Sequence, residues 1–235
     1  MRHFIFAALI LTAACTDRPY RLPYADGTEL TITADHKNHQ NPPEKMFDLR
    51  AAQSRQVLVA AESGWVREIK DSGDSSATTN NYVWIEHPLD YCQPVDRFAS
   101  GTPQPSECRR CSNGLGKCNE WTLYAHMEQN SVRGFAGLSE DDWVEAGQPI
   151  GIEGDVGFTP CGSNAGQPLC GRHLHFAIFQ IDRDSLAAQN VPSVNGDYEA
   201  YAAVFGRTER VPLFCTAAGY RYPRTGDTHV AAACP

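Results

Sequence analysis

The chain is a succession of short β-prone runs broken by turn residues, and no long stretch repeats its apolar positions with a helical period. "TELTIT" (28–33), "VLVAAES" (57–63), "WVREI" (65–69) and "NYVWIEH" (81–87) are rich in β-branched and aromatic residues. "WTLYAHM" (121–127), "PIGIEG" (149–154) and "HLHFAIFQI" (173–181) complete the series. Such a pattern predicts a mostly β protein built on an antiparallel sheet or sandwich. The two runs that flank Gly64 predict a tight reversal there.

Longer segments of other character separate these runs. Residues 71–80 form a polar loop, 88–120 a Cys-rich insertion, and 155–171 a Gly-rich loop. Loops of that length carry function or need a staple. One β domain is therefore expected over 28–182, preceded by a tether at 15–27. A C-terminal extension, 183–235, is too small to stand alone and is expected to pack on the same domain.

Arg2 leads an apolar run, "FIFAALILTAA", that reaches only to Ala14, too short to span a bilayer. Residues 1–14 are predicted to be a signal peptide, and "LTAAC" resembles a lipobox that would make Cys15 a lipidated first residue. Of nine cysteines, removal of Cys15 leaves an even set: Cys92, Cys108, Cys111, Cys118, Cys161, Cys170, Cys215 and Cys234. An even set in an exported chain suits disulfides. Cys161 with Cys170, and Cys215 with Cys234, are the expected pairs, while pairing among the first four stays open. A four-thiolate zinc site around "CRRC" (108–111) is the alternative for those four. The expected location is the cell envelope or periplasm, anchored through Cys15, or otherwise outside the cell.

A formal net charge of −8 argues against nucleic acid or an anionic membrane surface as partner. Any membrane contact is expected only through the lipid on Cys15.

His173 and His175 stand two positions apart in a run otherwise apolar on both faces, so they share a face in a strand. Polar rings in such a place must be hydrogen-bonded or bind something. Further candidates are dispersed: "DHKNHQNPPEKMFDL" (35–49) offers His36, His39 and Asp48, and "LYAH" (123–126) offers His126. No HExxH helix is present, but catalytic zinc needs only three protein ligands and an open position.

In order and spacing, "VLVAAESGWV", "NYVWIEH", "WTLYAHM", "VEAGQPIGIEGDVG" and "HLHF" resemble the lysostaphin-like zinc metallopeptidases, over about residues 30–182. That resemblance implies a duplicated hybrid motif fold, a bound Zn2+ and cleavage of peptide cross-links in bacterial peptidoglycan, with stem peptides as substrate. It also implies His39, Asp48 and His175 as metal ligands and His126 and His173 as catalytic histidines. The loop between His39 and Asp48 is longer than the family's short His-X-Gly-X-Asp, and His36 is the rival first ligand. Two other readings stay open: a non-catalytic module of the same fold that binds wall or regulates a hydrolase, and a secreted metalloprotease acting on protein.

Other conspicuous residues have plainer readings. His87, before Pro88, and His229 read as structural histidines. Tyr124 shares a strand face with His126 and either orients a ligand or packs. Arg172 is placed to meet a substrate carboxylate or to stay exposed.

Overall fold

The structure, a computed structural model, describes residues 19–35, 37–39, 46–74, 77, 79–88, 118–157, 171–182 and 211–234. The segment expected to be a signal peptide (1–14), Cys15, His36, Cys161, Cys170 and residues 89–117 of the Cys-rich insertion lie outside the described residues.

The described strands are β1 (Tyr20–Arg21), β2 (Glu29–Ala34), β3 (Met46–Ala51), β4 (Val57–Val59), β5 (Gly64–Lys70), β6 (Tyr82–Pro88) and β7 (Cys118–Ala125). They continue with β8 (Trp143–Val144), β9 (Pro149–Ile152), β10 (Leu174–Asp182), β11 (Phe214–Thr216), β12 (Gly219–Arg221) and β13 (Thr228–Val230). Eight of them make one antiparallel sheet in the order β13-β2-β3-β10-β7-β6-β5-β8. β4 pairs with β9 in a separate ribbon, and β1, β11 and β12 form a third, small sheet. The mostly β, antiparallel class expected from the strand pattern is what the chain adopts.

Alternation sorts the main sheet into two apolar faces. Leu174, Phe176 and Ile178 of β10 join Phe47, Leu49, Val83, Ile85 and Tyr124, and the β4–β9 ribbon closes this layer with Leu58 and Ile150. Ala177 and Phe179 point the other way, with Met46, Tyr82, Trp84, Trp121, Leu123 and Ala125. Full burial of each large side chain contributes about 1.5–3 kcal/mol, so both faces are held firmly. His175 falls on the second face, in a row with Asp48 of β3, Ala125 of β7 and Tyr82 of β6.

Three sequence expectations change. Gly64 makes no hairpin: β4 leaves for β9, and β5 starts at Gly64 beside β6 and β8. A Cβ on Gly64 would collide with the Glu86 carbonyl oxygen and with His87 Nδ1, so close approach, not a turn, demands the glycine. The stretch read as a tether holds Tyr20, Leu22 and Tyr24, all at 0 % exposure in the main core. β3 was not expected as a strand, because its charged Asp48 and Arg50 break the apolar pattern.

At the other end, β13 extends the sheet beyond β2, and Cys215 is disulfide-bonded to Cys234. That pair is one of the two expected.

Candidate metal centre

Three donors converge where β2, β3 and β10 meet. Asp48 and His175 lie directly opposite each other in the β3–β10 ladder, and cross-strand partners bring their side chains within reach. His39 arrives from the turn after β2. Asp35 builds that turn: its carbonyl accepts the amides of Asn38 and His39, and its carboxylate accepts those of Lys37 at 2.9 Å and Thr225 at 2.9 Å. Asx-turns of this kind follow from the side-chain reach of Asp and Asn. "ADHKNH" carries that signal in Asp35 and Asn38, as well as the histidines.

His39 Nε2, His175 Nδ1 and Asp48 Oδ1 stand 3.2 Å from one another, pair by pair. Three atoms bound at about 2.0–2.1 Å in a tetrahedron would lie about 3.3–3.4 Å apart. The observed triangle therefore has the size of one face of a zinc tetrahedron. Its chemistry fits as well: two imidazole nitrogens and a carboxylate oxygen suit zinc. With neither of these two nitrogens protonated, three lone-pair-bearing atoms so close together would repel unless a metal cation lay among them. Without the ion, a proton on either nitrogen makes a hydrogen bond to Asp48 instead.

The other ring nitrogen of each histidine decides which atom remains to ligate. His175 Nε2–H points at Met46 Sδ, 3.0 Å away, which leaves Nδ1 for the site. Both His39 and His175 are buried. Burial acts to raise the pKa of Asp48, but hydrogen bonds from His175 and His39 and the charges of His175 and His173 outweigh it. Its carboxyl is held well below the usual carboxylate range. Burial pushes the imidazole of His175 down, against the pull of Asp48.

His126 and His173 stand beside the triangle, with ring centroids 4.6 Å apart. His126 follows the end of β7 in a left-handed backbone conformation, φ 63°, a place few non-glycine residues occupy. Beyond the end of β9 the chain passes behind it at Gly154, where a Cβ would lie 2.8 Å from the His126 carbonyl oxygen. His126 Nδ1 donates to the Val156 carbonyl at 2.9 Å, and His173 Nδ1 to that of Gly171 at 2.7 Å. Each ring thus presents Nε2 as its remaining atom, and that of His173 is 3.4 Å from Asp48 Oδ1. Burial first, then the neighbouring His173 and His175, pushes His126 down to about 3. Ligating atoms of His126, His173 and His175 form a second close group.

The structure thus gathers His39, Asp48, His126, His173 and His175 in one place. It does not bring Tyr124 there: its ring packs 5.2 Å from Phe176 in the core, and its hydroxyl accepts the Ala61 amide. Arg172 is not at the surface either, being 6 % exposed. His87 hydrogen-bonds to the Ser63 carbonyl and to Thr122 Oγ1, the structural role expected of it.

No family model matches the chain, and no curated protein does. Solved structures do resemble it. A zinc-containing peptidase from Vibrio cholerae has 16 % identity over 70 % of this chain and 37 % of its own, with a TM-score of 0.37. Csd3 from Helicobacter pylori has 18 % identity over 70 % of this chain and 30 % of its own, with a TM-score of 0.38. The neighbours are M23-type peptidases, the lysostaphin-like group that the motifs resemble. The M23 metalloprotease pseudoalterin, from the deep sea, has 15 % identity over 94 % of this chain and 98 % of its own, with a TM-score of 0.35. The chain spans about a third of the length of the first two.

Proposed function

We propose that the protein is a zinc-dependent endopeptidase that hydrolyses peptide cross-links of bacterial peptidoglycan, exported and held at the envelope by a lipid on Cys15. The observation that carries the catalytic part is the triangle of His39, Asp48 and His175 with two more imidazoles beside it. The substrate and the location rest on the motif resemblance and on the leader-like start of the chain.

His39 Nε2, Asp48 Oδ1 and His175 Nδ1 would hold the ion. When bound, zinc supplies Lewis acidity and lowers the pKa of a water to near neutrality. His126 and His173, their Nδ1 protons committed to carbonyl groups, offer Nε2 lone pairs that take a proton from the attacking water. Once protonated, the same nitrogens donate toward the substrate carbonyl oxygen as it gains negative charge, or toward the departing amine. Asp48, 3.4 Å from His173 Nε2, steadies the cationic ring.

The test is to load purified protein with one equivalent of zinc and follow cross-linked muropeptides by chromatography, with and without a chelator. Cleavage that chelation abolishes and zinc restores is expected. Intact muropeptides with zinc bound would overturn the substrate, and failure to bind zinc would overturn the whole reading.

A further inference from the structure

Two buried charges beneath the site have no place in the mechanism above. Glu153 is 0 % exposed and Arg172 is 6 % exposed, and charges so deep persist only when paired and hydrogen-bonded. Glu153 Oε2 lies 3.5 Å from Arg172 Nε. The Tyr24 hydroxyl, which donates to the Leu49 carbonyl, lies 3.3 Å from Glu153 Oε1. Burial pushes the Glu153 carboxyl up to about 7, with Arg172, the Ala51 amide and Tyr24 pulling the other way.

The pair grips a single residue of β3 from both sides of its peptide unit. The Ala51 amide donates to Glu153 Oε1 at 3.2 Å, and Arg172 Nη2 donates to the Ala51 carbonyl at 2.9 Å. Leu174 pairs with Leu49 and His175 with Asp48, so the same register continued would set Arg172 opposite Ala51. There the chain has already left the sheet, since β10 begins only at Leu174. The two side chains therefore supply the ladder bonds that the departing backbone does not.

Each arm of this clamp adjoins a site residue. Arg172 is followed by His173, whose amide donates to the Gly154 carbonyl at 3.3 Å. Glu153 forms an antiparallel bridge with Met127, the residue after His126. Ala51 ends the strand that carries Asp48.

We infer that Glu153 and Arg172 are positioning residues that let the chain turn out of β10 at His173 while keeping His173 and His126 in register with Asp48 and His175. This inference rests on the reading of that cluster as a zinc centre. Outer supports of a metal site typically carry about 10–100-fold in affinity or activity.

The test uses the full chain with Glu153→Leu and Arg172→Met combined, an apolar replacement that leaves no unpaired charge in the core, and separately Arg172→Lys. Zinc affinity is read by competition with a chromophoric chelator, and kcat and KM on muropeptides. The double variant is expected to fold with a lowered unfolding midpoint, because the buried Ala51 amide and carbonyl lose these partners, to bind zinc about 10-fold or more weakly and to lose kcat with KM little changed. Arg172→Lys, which keeps the charge but not the fork, is expected to fold and to lose less. If the double variant folds and matches wild type in zinc affinity and kcat, the inference falls while the zinc reading stands. If the double variant does not fold, a wild-type Arg172→Lys overturns it in the same way. A wild-type chain that binds no zinc overturns both.

Discussion

Asp48 Oδ1 and His175 Nδ1 meet at 3.2 Å across 127 positions of sequence, because β3 and β10 set the two residues directly opposite each other. Asp48 is the one anionic member of the triangle. Replacing it with Asn keeps the shape and removes the charge that a divalent ion needs. Asp48→Asn is expected to weaken zinc binding by at least about 100-fold, the upper end of what outer-shell changes cost, with the far-ultraviolet circular dichroism unchanged. Isothermal titration with zinc measures it; unchanged affinity would remove Asp48 from the ligand set.

His126→Ala and His173→Ala should separate from that behaviour. Neither ring belongs to the 3.2 Å triangle, so each variant is expected to retain one zinc while kcat on muropeptides falls by about 10²–10⁴. Metal content by plasma emission, run beside the turnover assay, distinguishes loss of a proton carrier from loss of a ligand. A variant that loses both zinc and turnover would move its histidine into the ligand set.

Much of the centre was legible in the residues because period-two alternation is a strong local signal. It put His173 and His175 on one face of an otherwise apolar run, and the structure puts their rings beside His126 and Asp48. What could not be read were relations between distant segments. Nothing local in "MFDLRA" announces a strand, since its pairing with β2 and β10 supplies the reason for it. Tyr20, Leu22 and Tyr24 reach the core through contacts with elements far down the chain. Arg172 reads as an exposed loop cation until Glu153 is found beside it. Strands of two or three residues, such as β1, β8 and β11 to β13, are too short to show any period at all.

Acid should destabilise the metal-free protein through His126. Its folded pKa lies at about 3, against about 6.5 for an unperturbed imidazole. Between those values the unfolded chain binds a proton that the folded chain does not, so stability falls as pH drops through that window. Asp48 acts in the same direction at lower pH, its folded pKa being depressed below the unfolded one. Glu153 acts oppositely: its pKa is raised to about 7, so it favours the folded state as pH falls from there toward the unfolded value. Chelated His126→Phe is expected to show a shallower fall in melting temperature from pH 6.5 to 4 than wild type, and Glu153→Gln a steeper one. Identical pH profiles for all three proteins would contradict the burial of these groups.

Reduction of the Cys215–Cys234 bond should reach His39. The bridge spans 19 positions, and closing a loop of that order stabilises by about 2–4 kcal/mol. Within the closed segment, Thr225 donates its amide to Asp35 Oδ2 at 2.9 Å and its hydroxyl lies 3.0 Å from Asn38 Oδ1. Both partners belong to the turn that presents His39, and β13 pairs with the adjacent strand β2. Replacing both cysteines with Ser is therefore expected to lower unfolding free energy in urea by about 2–4 kcal/mol and to weaken zinc binding as well. Asp35→Ala should weaken zinc binding with the disulfide intact, because it removes the carboxylate that joins the turn to Thr225. A double-Ser variant that is less stable yet binds zinc as tightly as wild type would limit the bridge to holding the C-terminal segment in place.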